Sequence, residues 1–196
     1  MRSYEKMING IRFLLTTGDI TTVYEDAIVN VAHEALMGGG GVDGAIHRAS
    51  GERLIQACRK IPEVEPGVRC RVGEAKITQA FNQAVNLPRR YVIHTVAPKF
   101  VGSIVNGKFK NINKDGDQQL ANCYGNSIQL AAEERCRSIA FPSLGTGVHA
   151  YPIEVACPIA ISSCIEAASL YFFGHIRFVC FSDSDYEAYE QELIKR

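Results

Sequence analysis

Four consecutive glycines, Gly38–Gly41, separate an apolar, β-rich run (DAIVNVA) from a helical pattern (VDGAIHRASGERLIQACRK). Glycine loses the most backbone freedom on folding, so four in a row beside a predicted core strand require a physical reason. In open α/β sheets, ligands bind outside the carboxyl ends of the strands, in the loops that lead to helices. The stretch therefore predicts a strand, a ligand-binding loop and a helix, in that order.

The rest of the chain repeats this alternation, which predicts an α/β fold with a central, mostly parallel sheet and helices on both faces. Residues 101–117 show no sustained periodicity, so we expect an exposed loop there. The 196 residues favour one domain over 1–196. Strands are predicted at 11–16, 26–32, 75–81, 90–96, 138–144 and 176–181, and helices from 42 to about 60 with a break at Gly51, at 118–135, from Pro152 onwards and at 183–196.

Composition excludes several classes of function. Lys plus Arg equals Asp plus Glu, 21 each, so no basic surplus indicates a nucleic-acid partner. The N-terminus lacks a secretory signal and no apolar run approaches membrane-spanning length, so we expect no membrane association. Seven scattered cysteines without a CxxC pair argue against disulfides and zinc. These features predict a reducing, cytoplasmic location.

A second glycine-bearing loop follows another predicted strand, in SLGTGVHAYP. Glycine backbones approach a ligand closely, and N–H groups at a helix N-terminus attract anions, so two such loops could hold a phosphate chain. A Walker loop is excluded because GGGGVDG lacks Lys followed by Ser or Thr. The dinucleotide pattern G-x-G-x-x-G fits Gly39, Gly41 and Gly44, but the acidic residue expected at the end of a second strand is missing. A flexible linker is a further alternative.

Six motifs in consistent order resemble the macrodomain family, and within it most closely the MacroD class of ADP-ribosyl-hydrolases. They are GDIT (18–21), DAIVN (26–30), GGGGVDGAIHRASG (38–51), GEAKIT (73–78), YVIHTVAP (91–98) and SLGTGVHAYP (143–152). The resemblance implies a three-layer α/β/α sandwich with a mixed sheet. It also implies an ADP-ribose site in a cleft at the strand ends.

At the adenine end, the resemblance assigns three residues. Asp19 would accept a hydrogen bond from the adenine 6-amino group, which selects adenine over guanine. Ile20 would contact the base through its backbone, and Phe181 would pack on the ring. The alternatives are that Asp19 only caps a turn and that Phe181 is a core residue.

The resemblance places the diphosphate and the distal ribose between the two glycine loops. Backbone N–H groups of both loops would hold the phosphates, and side chains at the strand ends would contact the ribose. The residues assigned to this part of the ligand are Asn30, Gly39, Gly40, Gly41, Val42, Ser143, Gly145, Thr146, Gly147, Val148 and His149.

Two residues are assigned to catalysis, Asp43 and His33. In the resembling hydrolases, the aspartate that matches Asp43 positions or activates a water molecule near the distal ribose, a role that suits a carboxylate. From the residues alone, Asp43 could equally be a helix N-cap. His33 stands where the family has asparagine, and His149 where it more often has Phe or Tyr. Both departures lie on the distal-ribose side.

The expected activity is removal of mono-ADP-ribose from acidic side chains, deacetylation of O-acetyl-ADP-ribose, or both. The alternative is a non-catalytic reader of ADP-ribose, which His33 favours. The expected partners are ADP-ribose or O-acetyl-ADP-ribose and mono-ADP-ribosylated proteins. We expect no cofactor and no metal, because the five histidines show no ligand spacing.

Overall fold

The computed structural model describes residues 2–81, 90–105 and 108–196. Seven strands form one sheet, and two further strands form a separate hairpin. In chain order, the strands are β1 (Ser3–Ile8), β2 (Ile11–Thr17), β3 (Ala27–Val31), β4 (Ala75–Gln79), β5 (Tyr91–Thr95), the hairpin strands β6 (Gly102–Val105) and β7 (Lys108–Asn111), β8 (Ser138–Pro142) and β9 (His175–Cys180).

Five α-helices cover both faces of the main sheet, so the predicted three-layer α/β/α sandwich is confirmed. Alternate residues of a strand point to opposite faces, as with Val29 and Ile28 of β3, which belong to different buried clusters. The first two helices pack on one face and the other three on the opposite face. They are α1 (Gly41–Ser50), α2 (Glu52–Lys60), α3 (Gly116–Glu133), α4 (Ile153–Leu170) and α5 (Asp183–Ile194), with a short 3-10 helix at Ile20–Thr22.

The strand order in the sheet is β1-β2-β9-β8-β3-β5-β4. The inner five strands run parallel, whereas β1 and β4 are antiparallel edge strands. The sheet is therefore mixed and mostly parallel, as predicted. Since parallel strands end at the same edge, the loops after β2, β9, β8, β3 and β5 follow one another along that edge.

Two elements were not predicted. Strand β1 has the burial pattern of a half-exposed edge strand, with charged residues in its sequence SYEKMI. The paired strands β6 and β7 occupy the first part of the predicted loop 101–117, of which residues 106 and 107 lie outside the described residues, and α3 begins before the end of that range. Both depend on pairing with a neighbour and not on an apolar run.

Helix α4 corrects the expectation that no apolar run approaches membrane-spanning length. It has 18 residues with a mean hydropathy of 1.5, so by length and composition it could cross a membrane. In the fold it packs between α3 and α5, and its small residues, such as Ala160 and Cys164, belong to the buried core. A core helix covered by neighbours explains the same composition.

Candidate functional site

The loop after β2 carries Asp19 and Ile20, two of the residues that the resemblance assigns to the adenine base. Asp19 is exposed, and its Oδ1 accepts a hydrogen bond from the Thr21 backbone N–H at 2.8 Å, so it caps the short 3-10 helix. Capping uses one carboxylate oxygen and is compatible with a second role for the other. Ile20 is buried in the core, which fixes the position of this turn.

Phe181 directly follows β9, the strand beside β2 in the sheet. Its side chain is 94% exposed. The alternative that Phe181 is a core residue is therefore wrong. A free aromatic ring at the strand end next to Asp19 is available for a flat apolar ligand group.

The first glycine loop leads directly into α1. Gly40 is the N-cap and provides no side-chain cap, so the interpretation of Asp43 as an N-cap is wrong; it lies in the first turn. Gly41 has a φ of +57°, and a Cβ on Gly44 would stand 2.7 Å from the Gly39 carbonyl oxygen. Helix N–H groups without a capping side chain attract an anion. Gly39, Gly40 and Gly41 are exposed, and Val42 is half-buried.

The second glycine loop follows β8, the strand that lies between β9 and β3 in the sheet. Its base is fixed by the Tyr124 hydroxyl, which accepts from the Leu144 N–H at 3.2 Å, and Thr146 donates to the Ser143 carbonyl at 3.2 Å. Its tip is open, since Gly147 is exposed and Val148 is 97% exposed. The loop thus has a fixed base and an accessible backbone, and Gly145 adopts a φ of +81°.

A buried polar network lies beneath the first glycine loop. The Nδ2 of Asn30, at the end of β3, donates to Oδ1 of Asp43 at 2.6 Å. The Nε2 of His47, one turn further along α1, lies 3.3 Å from the same oxygen but lacks hydrogen-bond geometry. Both Asn30 and Asp43 are buried, so the network holds the carboxylate in one position.

His94 completes the network from β5. It pairs with Asn30 across the two strands, and its Nδ1 lies 3.1 Å from Asn30 Nδ2. Its Nε2 lies 3.0 Å from the Thr78 hydroxyl on β4. Because Asn30 Nδ2 is a donor, Nδ1 accepts and Nε2 carries the hydrogen. Burial lowers the pKa of His94 to about 4, with the charge of His47 adding to this effect and Asp43 opposing it.

Two oxygens of the network accept no hydrogen bond within the described residues. Asn30 Oδ1 is buried without a hydrogen-bond partner, whereas the Nδ2 of the same amide donates to both Asp43 and His94. Asp43 Oδ2 accepts no hydrogen bond within the described residues, and a Cβ on Gly39 would lie 3.1 Å from it. A carboxylate oxygen that faces a glycine loop can orient or deprotonate a hydroxyl or a water molecule.

His33 and His149 lie together at one cleft, which has a volume of about 340 Å³. His33 is exposed, and its Nδ1 accepts a long hydrogen bond, 3.4 Å, from the Ala35 N–H. The Nδ1 of His149 is buried without a partner. Over the described ranges, no group of three or more His, Cys, Asp or Glu side chains could hold a metal ion.

Sequence reasoning missed three members of the buried network: His47, His94 and Thr78. Polar side chains within apolar strands, as in YVIHTV, need buried partners, and this signal could have identified His94. The partners themselves depend on strand register, which the sequence does not show.

Cysteine chemistry is not part of this site. All seven cysteines are free and buried. Burial raises the pKa of Cys58, which lies 3.6 Å from His94 Nε2, to about 11. A thiol that stays protonated is a poor nucleophile, so these residues serve as small apolar side chains in the core.

Comparison with known proteins agrees with this fold. The macro domain family profile matches residues 29–160. A macro domain-containing protein of Xanthomonas axonopodis pv. citri is 41% identical over 184 residues, which cover 93% of this chain and 96% of that protein. Human ADP-ribose glycohydrolase MACROD2 is 41% identical over 181 residues, which cover 91% of this chain and 38% of that protein.

Solved structures show the same relationship. The Oceanobacillus iheyensis macrodomain with ADP superposes with a TM-score of 0.85 at 38% identity, covering 99% of this chain and 96% of that chain. The Trypanosoma brucei macrodomain in complex with ADP-ribose gives a TM-score of 0.74 at 34% identity, covering 91% and 68%. This α/β/α fold thus has close structural counterparts. The chain belongs to the macro domain family.

Proposed function

We propose that this macro domain binds ADP-ribose and hydrolyses mono-ADP-ribose esters of acidic protein side chains, with the deacetylation of O-acetyl-ADP-ribose as a second ester hydrolysis at the same site, in which water attacks the acetyl carbon. The observation that carries the proposal is the Asp43 carboxylate. It is buried and held by Asn30 through Oδ1, while Oδ2 lies beside Gly39. Relatives and structural neighbours with ADP-ribose or a glycohydrolase in their names support the ligand and the reaction class.

The ligand lies along the edge formed by the parallel strands. Adenine packs on Phe181 and donates from its 6-amino group to Asp19. The diphosphate lies between the two glycine loops, where N–H groups at the start of α1 offset its charge. The distal ribose reaches Asn30, whose unpaired Oδ1 accepts from a ribose hydroxyl. Satisfying that buried oxygen contributes to binding.

In hydrolysis, Asp43 Oδ2 orients a water molecule and accepts its proton as the water oxygen attacks the anomeric carbon. The bond between that carbon and the ester oxygen breaks, and the glutamate or aspartate leaves as a carboxylate. The products are ADP-ribose and the unmodified side chain. Asn30 and His47 keep the Asp43 carboxylate in place through these steps, since both lie against Oδ1.

A reader module without turnover is the second candidate, and His33 favours it. With Nδ1 directed to the Ala35 N–H, its ring offers only a donor, whereas an asparagine amide offers a donor and an acceptor. Incubation with a glutamate-ADP-ribosylated protein, beside a calorimetric titration with ADP-ribose, separates the candidates. Binding with release of ADP-ribose supports the hydrolase. Binding without release supports the reader, and no binding contradicts both.

A further inference from the structure

The cleft beside His33 and His149 extends beyond the residues assigned to ADP-ribose. Apart from these two histidines, none of its lining residues belongs to the proposed ADP-ribose site. Most of them follow β5, such as Pro98 and Lys99, and others come from the segment after β3, from just before β4 and from α3. The cleft therefore begins where the proposed distal ribose ends.

Strand order places the cleft next in line along the sheet edge. The proposed adenine contacts follow β2 and β9, the diphosphate loops follow β8 and β3, and the distal ribose meets the end of β3. The next parallel strand is β5, and residues 96–99 after it line the cleft. In an ADP-ribosylated protein, the group attached to the distal ribose is the modified side chain. That side chain and its neighbours would occupy this position.

The segment that borders the cleft is basic, although the whole chain is neutral. The described residues 99–104 and 109–114, here called the lysine segment, contain Lys99, Lys110 and Lys114 and no acidic residue. Lys99 lines the cleft and is exposed, as are Lys110 and Lys114. Among the described residues, the lysines that form ion pairs are Lys76 and Lys195. The lysine segment thus keeps its charge for a partner.

Exposed apolar side chains accompany this charge. Ile104 is 65% exposed and pairs across the β6–β7 hairpin with the partly exposed Phe109, and Ile112 is 64% exposed. Of the carboxylates nearby, Glu34 lines the cleft, Asp115 is exposed directly after Lys114, and Asp117 accepts hydrogen bonds from Asn111 and Tyr151. Apolar contacts with a surrounding positive charge suit a polypeptide that carries acidic residues.

We propose that the cleft and the lysine segment bind the protein part of the substrate, an acidic peptide that surrounds the ADP-ribosylated glutamate or aspartate. This inference rests on the proposed function. The modified side chain enters the cleft between His33 and His149, and flanking acidic residues lie against Lys99 and the hairpin.

Two synthetic peptides test the inference, each with one ADP-ribosylated glutamate and flanked by either acidic residues or serines. The measured quantity is KM for ADP-ribose release, with the affinity for free ADP-ribose as a separate reading. For wild type, KM is lower for the acidic peptide. Lys99→Glu raises that KM about ten-fold, leaves the serine peptide little changed and leaves the Kd of free ADP-ribose unchanged. Lys195→Glu, at the end of α5, is the matched control and behaves as wild type.

Equal KM values for the two peptides, or equal effects of Lys99→Glu and Lys195→Glu, overturn the inference. If no peptide is hydrolysed, the hydrolase proposal fails. The inference is then tested on the Kd of the two peptides, and it requires tighter binding of the acidic peptide that is lost in Lys99→Glu. A single-stranded oligonucleotide is the competing occupant. If its binding depends on Lys99 while that of the acidic peptide does not, the lysine segment is a nucleic-acid surface and the inference is wrong.

Discussion

The side-chain amide of Asn30 donates to the Asp43 carboxylate at 2.6 Å, joining the end of a buried strand to the first turn of a helix. This bond occupies Oδ1 and leaves Oδ2 beside the glycine loop. The Asp43 carboxylate is therefore held in one position and in one orientation. The proposed water molecule needs such a fixed acceptor.

Gly39→Ala tests the position of Oδ2. The added Cβ would lie 3.1 Å from that oxygen, so the carboxylate must shift by a few tenths of an ångström. We expect the kcat for ADP-ribose release to fall about ten-fold, because small displacements of a reacting group are costly. Gly125→Ala in α3, where a Cβ meets nothing within 4 Å, is the control. An unchanged kcat in Gly39→Ala would place the reacting oxygen elsewhere.

His94→Gln tests the buried network through its pH dependence. Burial holds the pKa of His94 at about 4, against 6.5 ordinarily, so between these values the unfolded chain binds the extra proton. This part of the stability is complete above pH 6.5 and is lost as the pH falls towards 4, by roughly 3 kcal/mol. Glutamine can accept from Asn30 without titrating. Denaturant unfolding from pH 7 to 4 should give a shallower decline for the variant, and parallel curves would contradict the assignment.

Phe181→Ala tests the adenine platform. Phe181 is 94% exposed, so its removal should change the free energy of unfolding by no more than about 0.5 kcal/mol. Loss of stacking should weaken ADP-ribose binding by roughly 1–3 kcal/mol in a calorimetric titration. Phe172→Ala is the matched control, with a ring that is 84% exposed just before β9. Equal affinities for the two variants would remove Phe181 from the site.

His33→Asn tests the main departure from the resembling hydrolases. An asparagine amide can donate and accept together, which adds about one hydrogen bond to the distal ribose or the water molecule. We expect the kcat of ester hydrolysis to rise about five-fold, equivalent to roughly 1 kcal/mol. A fall in kcat would identify the imidazole itself as a working catalytic group.

The elements with continuous apolar runs were predictable from sequence, as were the glycine loops. Strands β3, β5, β8 and β9 are buried on both faces, so their residues are apolar with little interruption. Strand β1 could not be predicted from an apolar run, because it is an edge strand that pairs only with β2 and is half-exposed. The β6–β7 hairpin could not be predicted because its strands have four residues each and their described apolar side chains, Ile104 and Phe109, are exposed.

The contacts between the candidate site residues could not be predicted from the sequence. The order of motifs pointed to Asp43 and Asn30, while the link between them requires α1 to begin at Gly41 and β3 to end at Val31. The role of His94 depends on its register opposite Asn30. Such contacts are set by tertiary packing, which a local pattern does not record.

The most direct test of the central claim compares wild type, Asp43→Asn and Asp183→Asn for ADP-ribose release from a glutamate-ADP-ribosylated protein. Asparagine at position 43 keeps an acceptor for Asn30 but removes the charge, and Asp183 is an exposed first-turn aspartate in α5. The account predicts that Asp43→Asn loses roughly 10²- to 10⁴-fold in rate and still binds ADP-ribose within a few-fold of wild type, whereas Asp183→Asn is unaffected. Release by Asp43→Asn at the wild-type rate would contradict the account.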